Sequence, residues 1–187
     1  VLIQLATILL ILVASIALGL EPRPETVSEF YAMYSESKLI GMLRDDFTSL
    51  ILIAMYLGLA PALFFALREQ HYTIALISAI MMIAGAVGAF AVHAGFSMMR
   101  LSDLYAAATT EAQRAQLMAA GEAVLASDMW NATAGYMGGI LLQGPGVMLS
   151  ILMLRNKDFG KITAITGLIG NGLDLVQHLL HPFAPEI

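Results

Sequence analysis

Long apolar stretches separated by polar connections dominate the chain. Five of these stretches reach the roughly 20 residues that an α-helix needs to cross a hydrocarbon core of about 30 Å. They cover approximately residues 1–20, 47–67, 73–98, 133–154 and 162–181. Because lipid offers the backbone no hydrogen-bond partners, spans of this length and continuity are helices rather than barrel strands. The pattern predicts an all-α integral membrane bundle of about five transmembrane helices.

Composition supports this interpretation and narrows the classes of function. The chain has 187 residues, of which 59% are hydrophobic and 12% are charged, whereas soluble domains have roughly 45–50% and ~25%. This length predicts a single helical-bundle domain over residues 1–187. A net charge of -5 with few, scattered lysines and arginines excludes a nucleic-acid partner. The absence of cysteine excludes disulfides, Fe–S clusters, thiolate zinc sites and a cysteine nucleophile.

The first apolar stretch, residues 1–20, permits two interpretations. It could be the core of a signal peptide, or it could be a transmembrane helix. It is longer than the usual signal-peptide core of about 7–15 residues, and no clear A-x-A cleavage site precedes Glu21. The sequence therefore favours the transmembrane interpretation.

Short basic connections predict the orientation of the bundle. Residues 68–72 and 155–161 hold four of the nine lysines and arginines, and the positive-inside rule places such connections in the cytoplasm. The longer, acidic loops at residues 21–46 and 100–132 then lie outside. This arrangement predicts a multi-pass protein of the bacterial plasma (inner) membrane, with a cytoplasmic N-terminus and an external C-terminus.

The second outer loop predicts an additional helix. Thr110 and Gln113 have the spacing of a capping box, in which the two side chains satisfy free backbone N–H groups at the start of a helix. An apolar stripe follows, formed by Leu117, Met118, Val124 and Leu125. The stripe predicts an amphipathic connecting helix that covers the outer end of the bundle.

The first outer loop carries an aromatic group, formed by Phe30, Tyr31 and Tyr34. Two preceding prolines, Pro22 and Pro24, favour extended chain at the start of this loop. Aromatic rings are enriched where a membrane meets water. The group therefore predicts an anchor at the membrane surface.

A polar stripe marks the last predicted span. Its residues are three, four and three positions apart, which places them on one face of a helix. They are Asn171, Asp174, His178 and His181. Gln177 lies beside this face, and Gly167 and Gly170 extend the same side. Since an ionisable group in hydrocarbon costs several kcal/mol unless it faces protein or water, the stripe predicts an inward face and a functional site.

Other polar side chains are predicted at the depth of this stripe, in the outer half of the membrane. His93 lies near the end of the third span, and Ser97 shares its face one turn later. Asp45 begins the second span, and Tyr136 lies near the start of the fourth. We therefore expect a polar pocket that opens toward the non-cytoplasmic side.

Three interpretations of these polar residues remain open. The side chains form a structural network, or they bind a small molecule or ion, or they bind zinc or haem through imidazole and carboxylate groups. The candidate residues of a ligand site are Asn171, Asp174, Gln177, His178 and Tyr136. The candidate metal ligands are His93, Asp174, His178 and His181. Three such ligands with one bound water would form an open, hydrolytic zinc site.

One segment resembles a known family. The sequence "LSDLYAAATTEAQRAQLMAAGEAVLA" at residues 101–126, with "LRNKDFGKITAITGLIG" at residues 154–170, is similar to small bacterial and archaeal multi-pass membrane proteins, the domain of unknown function 4386. The resemblance covers approximately residues 50–170. It implies a plasma-membrane helix bundle of about six spans, one more than the apolar pattern predicts, and it implies no catalytic residues.

The expected function is non-enzymatic. The apolar surface and the polar stripe predict a membrane protein that binds a small ligand or associates with other membrane subunits, including further copies of itself, within the lipid bilayer. The alternative is an intramembrane zinc-dependent hydrolase that uses the histidine and aspartate side chains. A small transporter is the third option, which the absence of an internal repeat disfavours.

Overall fold

The computed structural model of the chain describes residues 9, 13, 16, 22–45, 47–129, 131–157 and 159–183, without the side chains of Phe47 and Thr48. Across these ranges the secondary structure is helical, without strands. The helices are α1 (Val27–Glu36), α2 (Lys38–Arg44), α3 (Phe47–Ala91), α4 (Gly95–Ala107), α5 (Glu111–Ala126), α6 (Thr133–Arg155) and α7 (Lys161–Leu180). The all-α prediction is confirmed, while most of the predicted first span lies outside the described residues.

Two regions are long and apolar enough to cross a membrane, judged by length and composition. They are Ser49–Ala107, which includes most of α3, and Thr133–Arg155, which is α6. The chain forms two compact units. The first unit contains Val1–Ile53 and Val92–Ala132, and the second contains Ala54–Ala91 and Thr133–Ile187. Each unit combines two segments that are separate in the sequence.

Helix α3 folds back on itself at His71, whose backbone (φ -142°, ψ 50°) is not helical. A straight helix of 45 residues would separate its ends by roughly 66 Å. Asp45 precedes the first residue of α3 and His93 follows its last residue, yet His93 Nε2 lies 3.2 Å from the Asp45 carbonyl oxygen. The rings of Phe64 and Tyr72 also meet across the bend, with centroids 5.7 Å apart. The predicted turn at residues 68–72 is therefore confirmed.

The predicted third span is wrong at its outer end. The second arm of α3 ends at Ala91, and residues 92–94 are not helical before α4 begins at Gly95. His93 lies in this break, so it does not share a helical face with Ser97. The break allows the imidazole to bond the backbone at Asp45 and Gly95 instead.

The aromatic group of the first outer loop forms a core rather than a membrane anchor, so that prediction is wrong. A capping box of Thr26 and Glu29 starts α1, and the helix buries Phe30, Tyr31 and Tyr34. These rings belong to a cluster in the first unit that includes Ala94 and Met98, with Met118, Val124 and Leu125 packed against it.

The helix predicted after Thr110 is confirmed as α5. Its capping box joins Thr110 and Gln113 as expected. The Tyr31 hydroxyl donates to the Leu117 carbonyl at 2.6 Å, which ties α1 to α5. Gly121 faces α1 so closely that a Cβ there would overlap the side chains of Val27 and Tyr31. Helix α5 therefore covers α1.

The second unit packs α3, α6 and α7 around a core of mostly small and flexible residues. The core contains Ala60, Leu67, Ala75, Ala79, Met82, Leu149, Leu152, Met153 and Ala164. A Cβ on Gly85 of α3 would lie 2.8 Å from the Gly138 carbonyl oxygen of α6, so these backbones approach closely. The absence of a side chain at both glycines allows this close approach.

Candidate functional site

The polar stripe of α7 packs against a row of small residues on α6. His178 lies on Gly139, Asn171 lies on Gly146, and Gly167 faces Ser150. As the residue number rises along α7 it falls by the same amount along α6, so the three pairs share one antiparallel register. The predicted inward face is therefore confirmed for Asn171, His178 and Gly167.

Glycine makes these contacts possible. A Cβ at Gly139 would overlap the imidazole of His178, and a Cβ at Gly146 would overlap the amide of Asn171. The Asn171 Nδ2 donates to the Gly167 carbonyl at 2.7 Å, and the Ser150 Oγ donates to the Gly146 carbonyl at 2.7 Å. Because these polar side chains bond their own helix and fill notches in the other, Asn171 and His178 serve helix packing.

Asp174 and His178 form a pair along α7. The His178 Nδ1 lies 2.9 Å from the Asp174 carbonyl oxygen and 3.3 Å from its carboxylate Oδ1. The register of the two helices places Gln143 of α6 opposite Asp174. The Asp174 side chain is nevertheless 40% exposed, so its carboxylate remains open to a further partner.

A second polar row runs along α7 beside the packed face. Its members are three or four residues apart and lie on one helical face. We call this row the open stripe, and it consists of Thr163, Thr166, Gly170, Asp174 and Gln177. A Cβ on Gly170 would meet no atom within 4 Å. The prediction that Gly170 packs inward with Gly167 is therefore wrong, and Gln177 is exposed rather than directed into a pocket.

The predicted metal ligands do not form one cluster. Among the described residues, no group of three or more histidine, cysteine, aspartate or glutamate side chains could hold a metal ion. Of the four candidates, Asp174 and His178 contact each other, whereas the imidazole of His93 contacts Asp45 and Gly95. The zinc or haem site therefore remains a prediction, and the described residues contain no ligand cluster that supports it.

Tyr136 and His181 lie at the same end of the α6–α7 helix pair. Tyr136 is half-buried near the start of α6. His181 follows the last turn of α7, where its backbone N–H donates to the Gln177 carbonyl at 2.9 Å. The antiparallel register places these two residues opposite each other. Both residues therefore lie closer to that end of the two helices than Asp174 and His178 do.

The first unit contains an ion centre that the sequence does not reveal. The guanidinium of Arg23 lies 3.1 Å from Asp45 Oδ1 and 2.8 Å from Asp128 Oδ2, with side-chain exposures of 25%, 2% and 1% for the three residues. The Tyr34 hydroxyl donates to Asp45 Oδ2 at 2.7 Å. Burial lowers the pKa of Arg23, but the hydrogen bond from Arg23 to Asp128 and the charges of both aspartates outweigh it and raise this pKa overall.

A small cavity lies beside the ion centre. It is lined by Tyr34, Met42, Asp45, His93, Gly95, Phe96 and Met99. Its volume is about 10 Å³, which is room for roughly one water molecule. The imidazole of His93 is fixed by the Gly95 N–H, which donates to Nδ1 at 3.2 Å, so Nε2 carries the proton that bonds the Asp45 carbonyl. At this volume the cavity holds about one water molecule.

Because of Tyr34, we expect the first unit to lose stability as the pH rises above about 10. Burial is the main cause that raises the pKa of Tyr34, and the hydrogen bond to Asp45 and the charge of Asp45 raise it further. Below about pH 10 both folded and unfolded tyrosine are neutral. Above it the unfolded chain releases a proton that the folded chain keeps, so stability falls by up to about 1.4 kcal/mol per pH unit.

The measurement is the unfolding midpoint of the wild type and of Tyr34→Phe between about pH 8 and 11. The wild type should be the more stable protein at neutral pH, and its advantage should shrink as the pH rises. Burial also raises the pKa of Tyr31. Because Tyr31 is present in both proteins, its contribution cancels in the difference between their stabilities. An advantage that stays constant across this range would contradict the assignment.

Comparison with known proteins adds no further residue to these sites. The resemblance to the domain of unknown function 4386 stays a prediction, as does the identity of any ligand. No protein-family model matches the chain, and searches of the curated proteins and of the solved structures found no significant match.

Proposed function

We propose that this chain is a five-span integral membrane protein that acts as a subunit of a membrane complex and binds a partner helix through the open stripe of α7. The spans are residues 1–20, the two arms of α3, α6 and α7. The short connections at His71 and at residues 155–161 lie in the cytoplasm in this proposal, which leaves the N-terminus inside and the C-terminus outside.

The distribution of apolar residues on α7 supports a location in lipid. The residues Ile162, Ile165, Ile169, Leu173, Val176 and Leu180 are exposed along one side of the helix. The opposite side places Asn171 and His178 against α6. A protein in water would bury the apolar side, whereas a lipid solvent favours the observed arrangement.

The open stripe is the observation that carries the proposed subunit role. Threonine, glycine and polar side chains are the residues with which membrane helices pack against one another. The half-exposed carboxylate of Asp174 lies within this stripe, and facing lipid it would cost several kcal/mol. A partner helix with a hydrogen-bond donor would cover the stripe and remove this cost.

Site-directed photo-crosslinking in native membranes tests the role. A photoreactive phenylalanine derivative at Gln177, on the open stripe, should give one protein adduct of defined mass. The same derivative at Val176, which is exposed on the apolar side, serves as the matched control and should react mainly with lipid. Adding Gly170→Leu should reduce the Gln177 adduct by about tenfold, which corresponds to roughly 1.4 kcal/mol of lost packing.

Two results would contradict the subunit role. Equal yields of protein adduct at Gln177 and Val176 would show that the stripe is not preferred over the apolar side. An adduct within the same chain, mapped by mass spectrometry to residues 1–20, would show that the protein covers its own stripe. A Gln177 adduct with a second chain or another protein, abolished by Gly170→Leu, supports it.

A further inference from the structure

Large apolar side chains are exposed on the first unit, away from its core. Leu39 and Ile40 of α2 are 70% and 46% exposed, and Phe96 at the start of α4 is 59% exposed. Scattered single residues of this kind are ordinary on a soluble surface. Here Leu39 and Ile40 are adjacent on the seven-residue helix α2. Phe96 belongs to α4, and both α2 and α4 contribute residues to the small cavity beside the ion centre.

The three residues lie close to both ends of α3. Helix α2 ends at Arg44, shortly before α3 begins at Phe47, and α4 begins at Gly95, shortly after α3 ends at Ala91. The contact between His93 and the Asp45 carbonyl brings these two ends together. Met42 of α2 and Phe96 of α4 also line the same small cavity. The helices α2 and α4, which carry the exposed apolar residues, therefore flank the point where α3 begins and ends.

Cationic side chains accompany this apolar group. Lys38 begins α2 and is half-exposed while it bonds Asp103 at 2.8 Å. Arg44 ends α2, and Arg100 is exposed one turn after Phe96. Apolar side chains with flanking basic residues match the boundary of a bilayer, where acyl chains meet phosphate groups.

We propose that α2 and Phe96 form a membrane-surface anchor, in which Leu39, Ile40 and Phe96 enter the boundary between phospholipid headgroups and acyl chains. This inference rests on the proposed location of α3 in the membrane, because the first apolar residues of Ser49–Ala107 then lie a few residues from α2. The anchor occupies the place that the sequence assigned to Phe30, Tyr31 and Tyr34, whose rings are buried. It fixes the first unit against the lipid surface.

Fluorescence quenching in lipid nanodiscs tests the anchor. The chain has no cysteine, so a single introduced cysteine can carry an environment-sensitive nitrobenzoxadiazole probe. The variants are Ile40→Cys for the anchor, Gln116→Cys on the exposed side of α5 as the matched control, and Ile80→Cys on an exposed position of α3. The nanodiscs contain phosphatidylcholine and phosphatidylglycerol, with or without bromine atoms near the top of the acyl chains.

Brominated lipid should quench the probe at residue 40 at least about twofold more than the probe at residue 116, with a blue-shifted emission at residue 40. Equal, weak quenching at residues 40 and 116 together with strong quenching by deeply brominated lipid at residue 80 would overturn the anchor and leave the membrane location of α3 intact. Weak quenching at residue 80 as well would overturn both. Phe96→Cys provides a second, independent position that should behave as residue 40 does.

Discussion

Replacement of Gly139 by alanine is expected to lower the free energy of unfolding by about 1–3 kcal/mol, the usual effect of forcing extra atoms into a packed helix contact. The added Cβ would overlap the imidazole of His178, at the root of the ring as well as at its far side. The two helices would have to separate, or His178 would have to leave its notch. Thermal or denaturant unfolding of the purified protein in mild detergent measures the change.

Gly172→Ala on α7 is the matched control, because it adds the same atom to the other helix of the same pair and no proline follows it. A Cβ there meets no atom within 4 Å, so the change should be neutral or stabilising by about 0.5–1 kcal/mol, as expected for alanine in a helix. The double variant Gly139→Ala with His178→Ala should recover stability relative to Gly139→Ala alone. Equal effects at Gly139 and Gly172 would contradict the packing described for α6 and α7.

Replacement of Arg23 by methionine should destabilise the first unit by about 3–5 kcal/mol, because it leaves two buried carboxylates without their cation. Asp45 and Asp128 are each at most 2% exposed, so water cannot take the place of the guanidinium. Local unfolding, followed by hydrogen exchange or limited proteolysis of residues 22–45, should rise with the loss of stability.

Lys38→Met provides the control for Arg23→Met. The ion pair of Lys38 with Asp103 is about half-exposed on both sides, and such pairs contribute only about 0–1 kcal/mol. A similar small effect for both variants would show that the ion centre does not stabilise the first unit.

Helical spacing was enough to predict how α7 meets its neighbour. The intervals between Asn171, Asp174 and His178 put these residues on one side of a helix, and two of them indeed pack on α6. Spacing could not show that Gly170 and Gln177 face outward, because the boundary between a packed and an open side depends on where the second helix lies. The notches at Gly139 and Gly146 determine that position, and a single-chain pattern does not reveal which glycines will meet which side chains.

The first unit was harder to predict, for a related reason. Aromatic residues in a short loop are equally consistent with a membrane surface and with a core, and here they form a core because α4 and α5 cover α1. The partners come from distant parts of the chain: Arg23 bonds Asp128, which is 105 positions away. The ion centre has no local signal, since Arg23, Asp45 and Asp128 come from distant parts of the chain.

The contact between α6 and α7 also limits how the second unit can move. If α7 slid by one turn in either direction, Asn171 would leave Gly146 and meet Leu142 or Ser150, neither of which offers an empty notch. The shape of the α6 surface therefore opposes sliding of α7 in both directions, without a strong bond between the two helices. We therefore expect α6 and α7 to move together as one rigid pair.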